Sequence, residues 1–330
     1  MKITDRITEG KMSGLQKRAV VVAILLVVLD GYDVSLTSFA APFLQIGFGV
    51  TKTQLGLVMS GALIGMLIGS ILIAPLADRI GRQKMGVIAT SIIALGMLIG
   101  PFATPELGTG LLVLSRIVTG VGVGALVSVI GVILAEYTGK KIYPLVMAIY
   151  ATAINIGGLL GSTIVGPMLA EYGWQFGWWV GFVLSAIAAV ATYFLLPESI
   201  VWLAEGRRKD SLERLNGLLV KMGQPTLDAL PVSENAGVAK PRGSVATVFT
   251  GRTGIYTGLM IFGFIAFMIS FYFMTNWGPT AVASAAAEPT LAPQLVAAFS
   301  LGGIVGSLVF GFIGNKVNVR ILTPIFLVLA

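Results

Sequence analysis

Apolar residues run along this chain in blocks of about twenty, separated by short polar or basic breaks. A block of that size matches ~30 Å of hydrocarbon crossed at 1.5 Å per residue in an α-helix. Eight blocks qualify, at about 19–43, 54–77, 85–103, 109–133, 143–169, 175–196, 254–275 and 292–314. A ninth begins near Ile321 and stops at Ala330 within an apolar run, so the chain is expected to be part of a longer protein, cut inside its ninth helix. The first block follows the basic pair Lys17-Arg18. It is too long for a signal peptide and lacks a small-residue cleavage site, so it is expected to stay as a helix. The longest polar stretch, about Pro197 to Arg252, separates six blocks from the rest. Within it Leu212, Leu215, Leu218 and Leu219 share a face of a short amphipathic helix. After Gln224, Pro, Gly and small polar residues read as a linker. The pattern therefore predicts an all-α polytopic membrane protein with two bundles: six helices in 1–196, a linker in 197–253 and a partial second bundle in 254–330.

Composition agrees with this pattern. The chain is 56% hydrophobic and 11% charged, with a mean hydropathy of +0.91, against about one quarter charged in soluble domains. It has no Cys and no His, which removes disulfides, thiolate chemistry and most catalytic metal sites. No cofactor, no metal and no enzymatic activity are expected, since no nucleophile–base pair stands out either. The net charge of +7 does not indicate nucleic acid, because 20 of the 22 Lys and Arg residues fall in one alternating set of loops. Lys52 is the exception in the opposite loops, and Arg116 lies within a block. That asymmetry predicts a cytoplasmic amino terminus.

Three charges fall well inside the blocks: Asp30, Asp33 and Arg116. A charge at bilayer depth costs about 2.5 to 3.5 kcal/mol or more and is rarely kept without a task. Asp30 and Asp33 are spaced i, i+3 and share a helix face, which Thr37 extends by one turn. Burial and mutual repulsion disfavour two simultaneous negative charges, giving a site that can load and release a proton. Arg116 sits about two turns into the fourth helix, at a depth similar to Asp33. Its guanidinium cannot shed its charge, so it must meet an anion, either Asp33 or a carboxylate solute. The plainer readings are a structural acid pair and an arginine that snorkels to the headgroups. Gly120, Gly122 and Gly124 after it suit close helix packing.

Other features carry weaker chemistry. Asp78-Arg79-Ile-Gly81-Arg82-Gln-Lys84 makes a tight loop whose acid and cations can form a lock, or can simply be positive-inside punctuation. Asn155 is the one plausible cavity residue in a small-faced fifth helix. Tyr272, Asn276 and Trp277 can present ring and amide to an aromatic solute, or form part of an interfacial belt; a belt is the expected role of Trp174, Trp178 and Trp179. Gly311-Phe-Ile-Gly-Asn315-Lys316 weakly repeats Ala74-Pro-Leu-Ala-Asp78-Arg79, as expected of parallel halves.

At these residues the chain resembles the major facilitator superfamily. The Asp78–Lys84 loop, the Arg116–Gly124 run and Leu196-Pro-Glu198-Ser199 correspond to its motifs, with Ala74 where a Gly is usual and Asn315 where an acid is common. More narrowly, Asp30-Gly-Tyr-Asp33 resembles the hallmark of the aromatic acid/proton symporters. That resemblance implies a bacterial-type inner-membrane transporter, expected as a monomer, importing a benzoate- or hydroxybenzoate-like anion with protons by alternating access. It implies proton coupling at Asp30 and Asp33 and substrate contact at Arg116, with Asn155, Tyr272, Asn276 and Trp277 as further candidates. Gating falls to Asp78, Arg79, Gly81 and Arg82. The alternatives are a symporter of another organic acid or a sugar-like metabolite, an exporter, or a membrane sensor. The sensor is disfavoured by the linker-like second half of the long loop.

Overall fold

A computed structural model describes residues 3–206, 208–231 and 249–314. The expected ninth helix, the Asn315-Lys316 half of the loop repeat and most of the Pro/Gly-rich linker lie outside the described residues. Among those described, the regular structure is helical, and eight helices are long and apolar enough to cross a membrane. They are span one Gly14–Gly47, span two Lys52–Ile80, span three Arg82–Phe102, span four Gly110–Tyr137, span five Tyr143–Tyr172, span six Gln175–Leu195, span seven Gly254–Ala285 and span eight Leu291–Phe310.

Each expected block is found, and the ends move for identifiable reasons. Span one starts five residues early because Ser13 and Gln16 form a capping box, which satisfies backbone donors before the apolar run begins. Span two starts on the same device, Thr51 with Gln54. Span four runs on to Tyr137, carrying Glu136 inside a buried helix end. Three spans also contain one turn of π-helix: Gly69–Ile73, Gly161–Val165 and Phe273–Trp277. Each turn lies directly before a small residue and a proline, Ala74-Pro75, Gly166-Pro167 and Gly278-Pro279. Proline has no N–H and its ring crowds the carbonyl four residues back, so the preceding turn widens.

Spans one and four are the most enclosed. They and their neighbours approach closely because glycines face backbone. A Cβ on Gly120 or Gly124 of span four would run into the Ala62 or Met66 carbonyl of span two, and one on Gly31 of span one into Ile154 of span five. Small residues at such crossings let helices gain dispersion contacts where lipid offers no hydrophobic drive.

The tryptophan expectation needs correction. Trp174 and Trp178 are buried inside the bundle, not at its lipid rim; only Trp179 is exposed. Positions 174 and 178 share a helix face turned inward, where their rings meet edge to face with centroids 5.4 Å apart. The polar stretch after span six also begins in an ordered way. Ser211–Lys221 is a helix that buries Leu215 and Leu219, with Leu212 and Leu218 half-buried beside them. Asn216 then brackets Leu227, accepting from its N–H at 2.8 Å and donating to its carbonyl at 2.9 Å.

Spans seven and eight meet the first six from the far end, away from the amino terminus, to mid-depth. Ser38 donates to Asn276 Oδ1 at 3.0 Å, Trp277 covers Gly56, Pro293 sits against Gly166 and Ser300 against Gly158. The near half of span seven, including Ile255, Leu259, Met260 and Phe262, is exposed and stands off the other spans.

Candidate functional site

Asp33 and Arg116 form an enclosed ion pair between spans one and four; they are 2% and 1% exposed. Arg116 donates from Nη1 to Asp33 Oδ1 at 2.7 Å, and from Nη2 to Oδ2 at 3.3 Å and to the Asp33 carbonyl at 3.0 Å. Both charges are thus removed from water and satisfied by fork-to-carboxylate geometry, the arrangement a buried pair needs. Gly61 lets span two pass close to the base of this side chain, since a Cβ there would lie 3.4 Å from the Arg116 Cβ. Beside it, Tyr32 donates its hydroxyl to the Gly177 carbonyl at 2.6 Å and ties span one to span six.

The satisfaction is incomplete. Arg116 Nε, Thr37 Oγ1 and Asp30 Oδ1 are enclosed and have no hydrogen-bond partner among the described residues. Unpaired buried polar atoms are uncommon and call for a reason. Three around one ion pair give the region spare capacity to donate to, and accept from, a small polar guest or a proton.

Asp30 differs from Asp33 although they lie one turn apart. It is half-buried and forms no ion pair among the described residues. The phenols of Tyr150 in span five and Tyr272 in span seven both lie within its electrostatic reach. Asp30 of span one thus acts electrostatically on a residue of span seven, across the two sets of spans. Asn276 and Trp277 instead make the far-end contacts with Ser38 and Gly56, and Asn155 lies against Gly303 of span eight. The sequence-predicted residues thus divide into a sealed pair, an unpaired acid with tyrosines, and a far-end seam.

The loop residues form a second cluster at the amino-terminal end. Asp78 and Arg82 are ion-paired across one turn, and Trp202 Nε1 donates to the Asp78 carbonyl at 2.9 Å; Arg79 is exposed. Two acids that sequence reasoning left without a role organise this cluster. Glu198 accepts from the backbone N–H groups of Arg82, Gln83 and Ser199 at 2.6, 3.1 and 2.9 Å, capping span three with a carboxylate where the helix dipole favours one. Glu136 accepts from Ser199 Oγ and the Ile200 N–H, both at 2.7 Å. The available signals were an acid closing the long apolar run at Glu136 and the Pro-Glu-Ser break after span six.

Gly81 completes the turn at φ 103°, ψ 154°, a region essentially restricted to glycine, and a Cβ there would overlap Glu198 Oε2. Gly81→Ala is expected to destabilise the protein by at least ~1–3 kcal/mol through this strain and the displaced cap. Thermal unfolding in detergent measures it; a melting temperature equal to that of the parent would refute the account.

Eight membrane-length helices that enclose an ion pair between spans one and four, one turn from an acid that makes no ion pair among the described residues, fit a membrane transporter rather than an enzyme. The chain belongs to the Major Facilitator Superfamily, whose family model matches residues 23–330. It is 30% identical to a 4-hydroxybenzoate transporter of Pseudomonas putida over 333 aligned residues, covering 100% of this chain and 73% of that protein. It is 27% identical to a gallate transporter of the same species, covering 96% and 69%. A benzoate transport protein of Acinetobacter baylyi is 24% identical, covering 98% and 70%. Among solved structures, a D-xylose-proton symporter superposes with a TM-score of 0.61 at 20% identity, over 90% of this chain and 66% of that one. That likeness speaks for the fold.

Proposed function

We propose that the chain imports an aromatic carboxylate together with protons by alternating access, with its amino terminus in the cytoplasm of a bacterial-type inner membrane. Transporters of 4-hydroxybenzoate, gallate and benzoate among its relatives support the substrate class. The loop asymmetry of Lys and Arg supports the orientation. In this reading 1–196 is the first bundle, 197–253 the linker and 254–330 the start of the second, and the working unit is a monomer.

The observation that carries the mechanism is the buried Asp33–Arg116 pair. A proton on Asp33 removes half of the pair and leaves a desolvated guanidinium that must find another anion. An incoming carboxylate supplies it, and Thr37 and the Arg116 Nε–H offer hydrogen-bonding capacity beside it. Asp30, between Tyr150 and Tyr272, holds the second proton position and faces the other bundle. With the amino terminus inside, contacts at the far end and separation at the near end correspond to a state open to the cytoplasm, with Asn276 and Trp277 in the closed outer seam. The Asp78–Arg82 pair, Arg79 and the Gly81 turn lie at the inner end, where gating contacts form and break as the bundles rock. Each net charge carried inward gains about 2.3 kcal/mol per 100 mV.

Vesicles containing the full-length protein are expected to take up labelled benzoate, 4-hydroxybenzoate or gallate saturably when a pH gradient is imposed, and to lose that uptake with a protonophore. Uptake of aliphatic acids alone would remove the aromatic substrate class. No gradient-driven uptake of any carboxylate would remove the Arg116 mechanism, and efflux against the gradient would reverse the direction.

A further inference from the structure

Where spans one, three and six end on the amino-terminal side, the helix Ser211–Lys221 leans over them and closes a pocket of about 330 Å³. Three cations converge on it from segments far apart in sequence: Arg18 at the start of span one, and Arg214 and Lys221 on the overlying helix. Their side chains form no ion pair among the described residues. The acid lining the pocket, Glu198, already accepts three backbone N–H groups. The remaining wall combines Gln83, whose amide donates to the Tyr193 carbonyl at 2.8 Å, with apolar residues such as Leu15, Leu196 and Leu218. General positive-inside punctuation puts cations in water along a loop; it does not gather three of them around a partly apolar recess.

A wholly apolar, open and shallow face of span six runs past Ile187 and Val190. It shares Phe194 with the basic pocket, and that ring is 70% exposed. From Ala186 to Phe194 this face extends along span six for about 12 Å, leading from the interface into the hydrocarbon. A charged recess at headgroup height that opens onto an apolar track at acyl-chain depth has the two-part chemistry of a phospholipid.

We propose that this composite surface is a specific site for one anionic glycerophospholipid of the leaflet on the amino-terminal side. Its phosphate is held by Arg18, Arg214 and Lys221, and one acyl chain lies along span six over Phe194. Juxtamembrane cations attract anionic headgroups, and recesses between helices concentrate that attraction. The occupant bridges span one, span six and the helix Ser211–Lys221, and so ties the long loop to the first bundle. This inference is independent of the transported solute.

Native mass spectrometry of the full chain in detergent, offered equal phosphatidylglycerol and phosphatidylcholine, tests it. The expected result is an adduct with phosphatidylglycerol favoured about tenfold. Arg214→Gln and Lys221→Gln should each weaken that adduct about fivefold, corresponding to ~1 kcal/mol per cation. Lys141→Gln, an exposed cation at the same end but outside the pocket, should leave it unchanged. Phe194→Ser should weaken the diacyl lipid more than its lyso form. Variants are compared only where their lipid-free melting temperature matches the parent, and Arg214→Gln alone suffices if Lys221→Gln unfolds. Equal binding of the two lipids, or unchanged adducts in the pocket variants, would overturn the site. Binding of soluble glycerol phosphate as tight as that of the lipid would also overturn the membrane occupant.

Discussion

Arg116→Gln is expected to lose both stability and uptake, whereas pairing it with Asp33→Asn should recover the stability alone. Arg116 is 1% exposed and devotes two nitrogens to Asp33. Removing it leaves a carboxylate without water or partner, a situation that costs about 3–5 kcal/mol. The double variant replaces two charges with two amides able to bond each other, so most of that loss should return. Transport should not, because no guanidinium remains to receive a carboxylate. Melting temperatures in detergent and initial uptake rates separate the two effects. Gradient-driven uptake that survived in the double variant would exclude the pair from the transport cycle. Non-recovery of stability would mean that the cost lies in packing against Gly61, not in the charge.

The second large effect concerns Asp30. Asp30→Asn is expected to fold normally, since its carboxylate supports no ion pair among the described residues and its Oδ1 lacks a partner. It should nevertheless uncouple the protein. A gradient of one pH unit sustains about tenfold accumulation per proton carried, equivalent to 1.4 kcal/mol. In Asp30→Asn that ratio should fall to about one while exchange of internal for external substrate continues. Accumulation equal to that of the parent would transfer the coupling role entirely to Asp33. Loss of exchange as well would make Asp30 a binding group rather than a coupling one.

The two acids illustrate the limits of sequence. Their i, i+3 spacing placed them on one helix face, and their apolar surroundings marked both as costly. Depth along the helices set Asp33 level with Arg116, but nothing in the pattern showed what would face Asp30. The structure shows how they differ: span four passes Asp33 and brings Arg116 to it, while the Tyr150 and Tyr272 phenols of spans five and seven lie within electrostatic reach of Asp30. Trp174 and Trp178 teach the same lesson in reverse: composition made them belt residues, but the packing of span six turned their shared face inward. Glu136 and Glu198 went unassigned because capping another element's backbone is a contact over 60 or more residues, invisible to local pattern.

The amino-acid order alone determined the eight membrane-length helices found among the described residues, the break after the sixth and the rarity of charge within them. These follow from the cost of putting polar groups in hydrocarbon, which acts on each segment separately. Tertiary structure alone decided that Arg116 closes on Asp33 rather than standing free for a solute, which acid makes no ion pair among the described residues and where a basic recess meets an apolar helix face. Those outcomes depend on helices distant in sequence sharing a small volume, and pairing energies apply only once packing has set the partners.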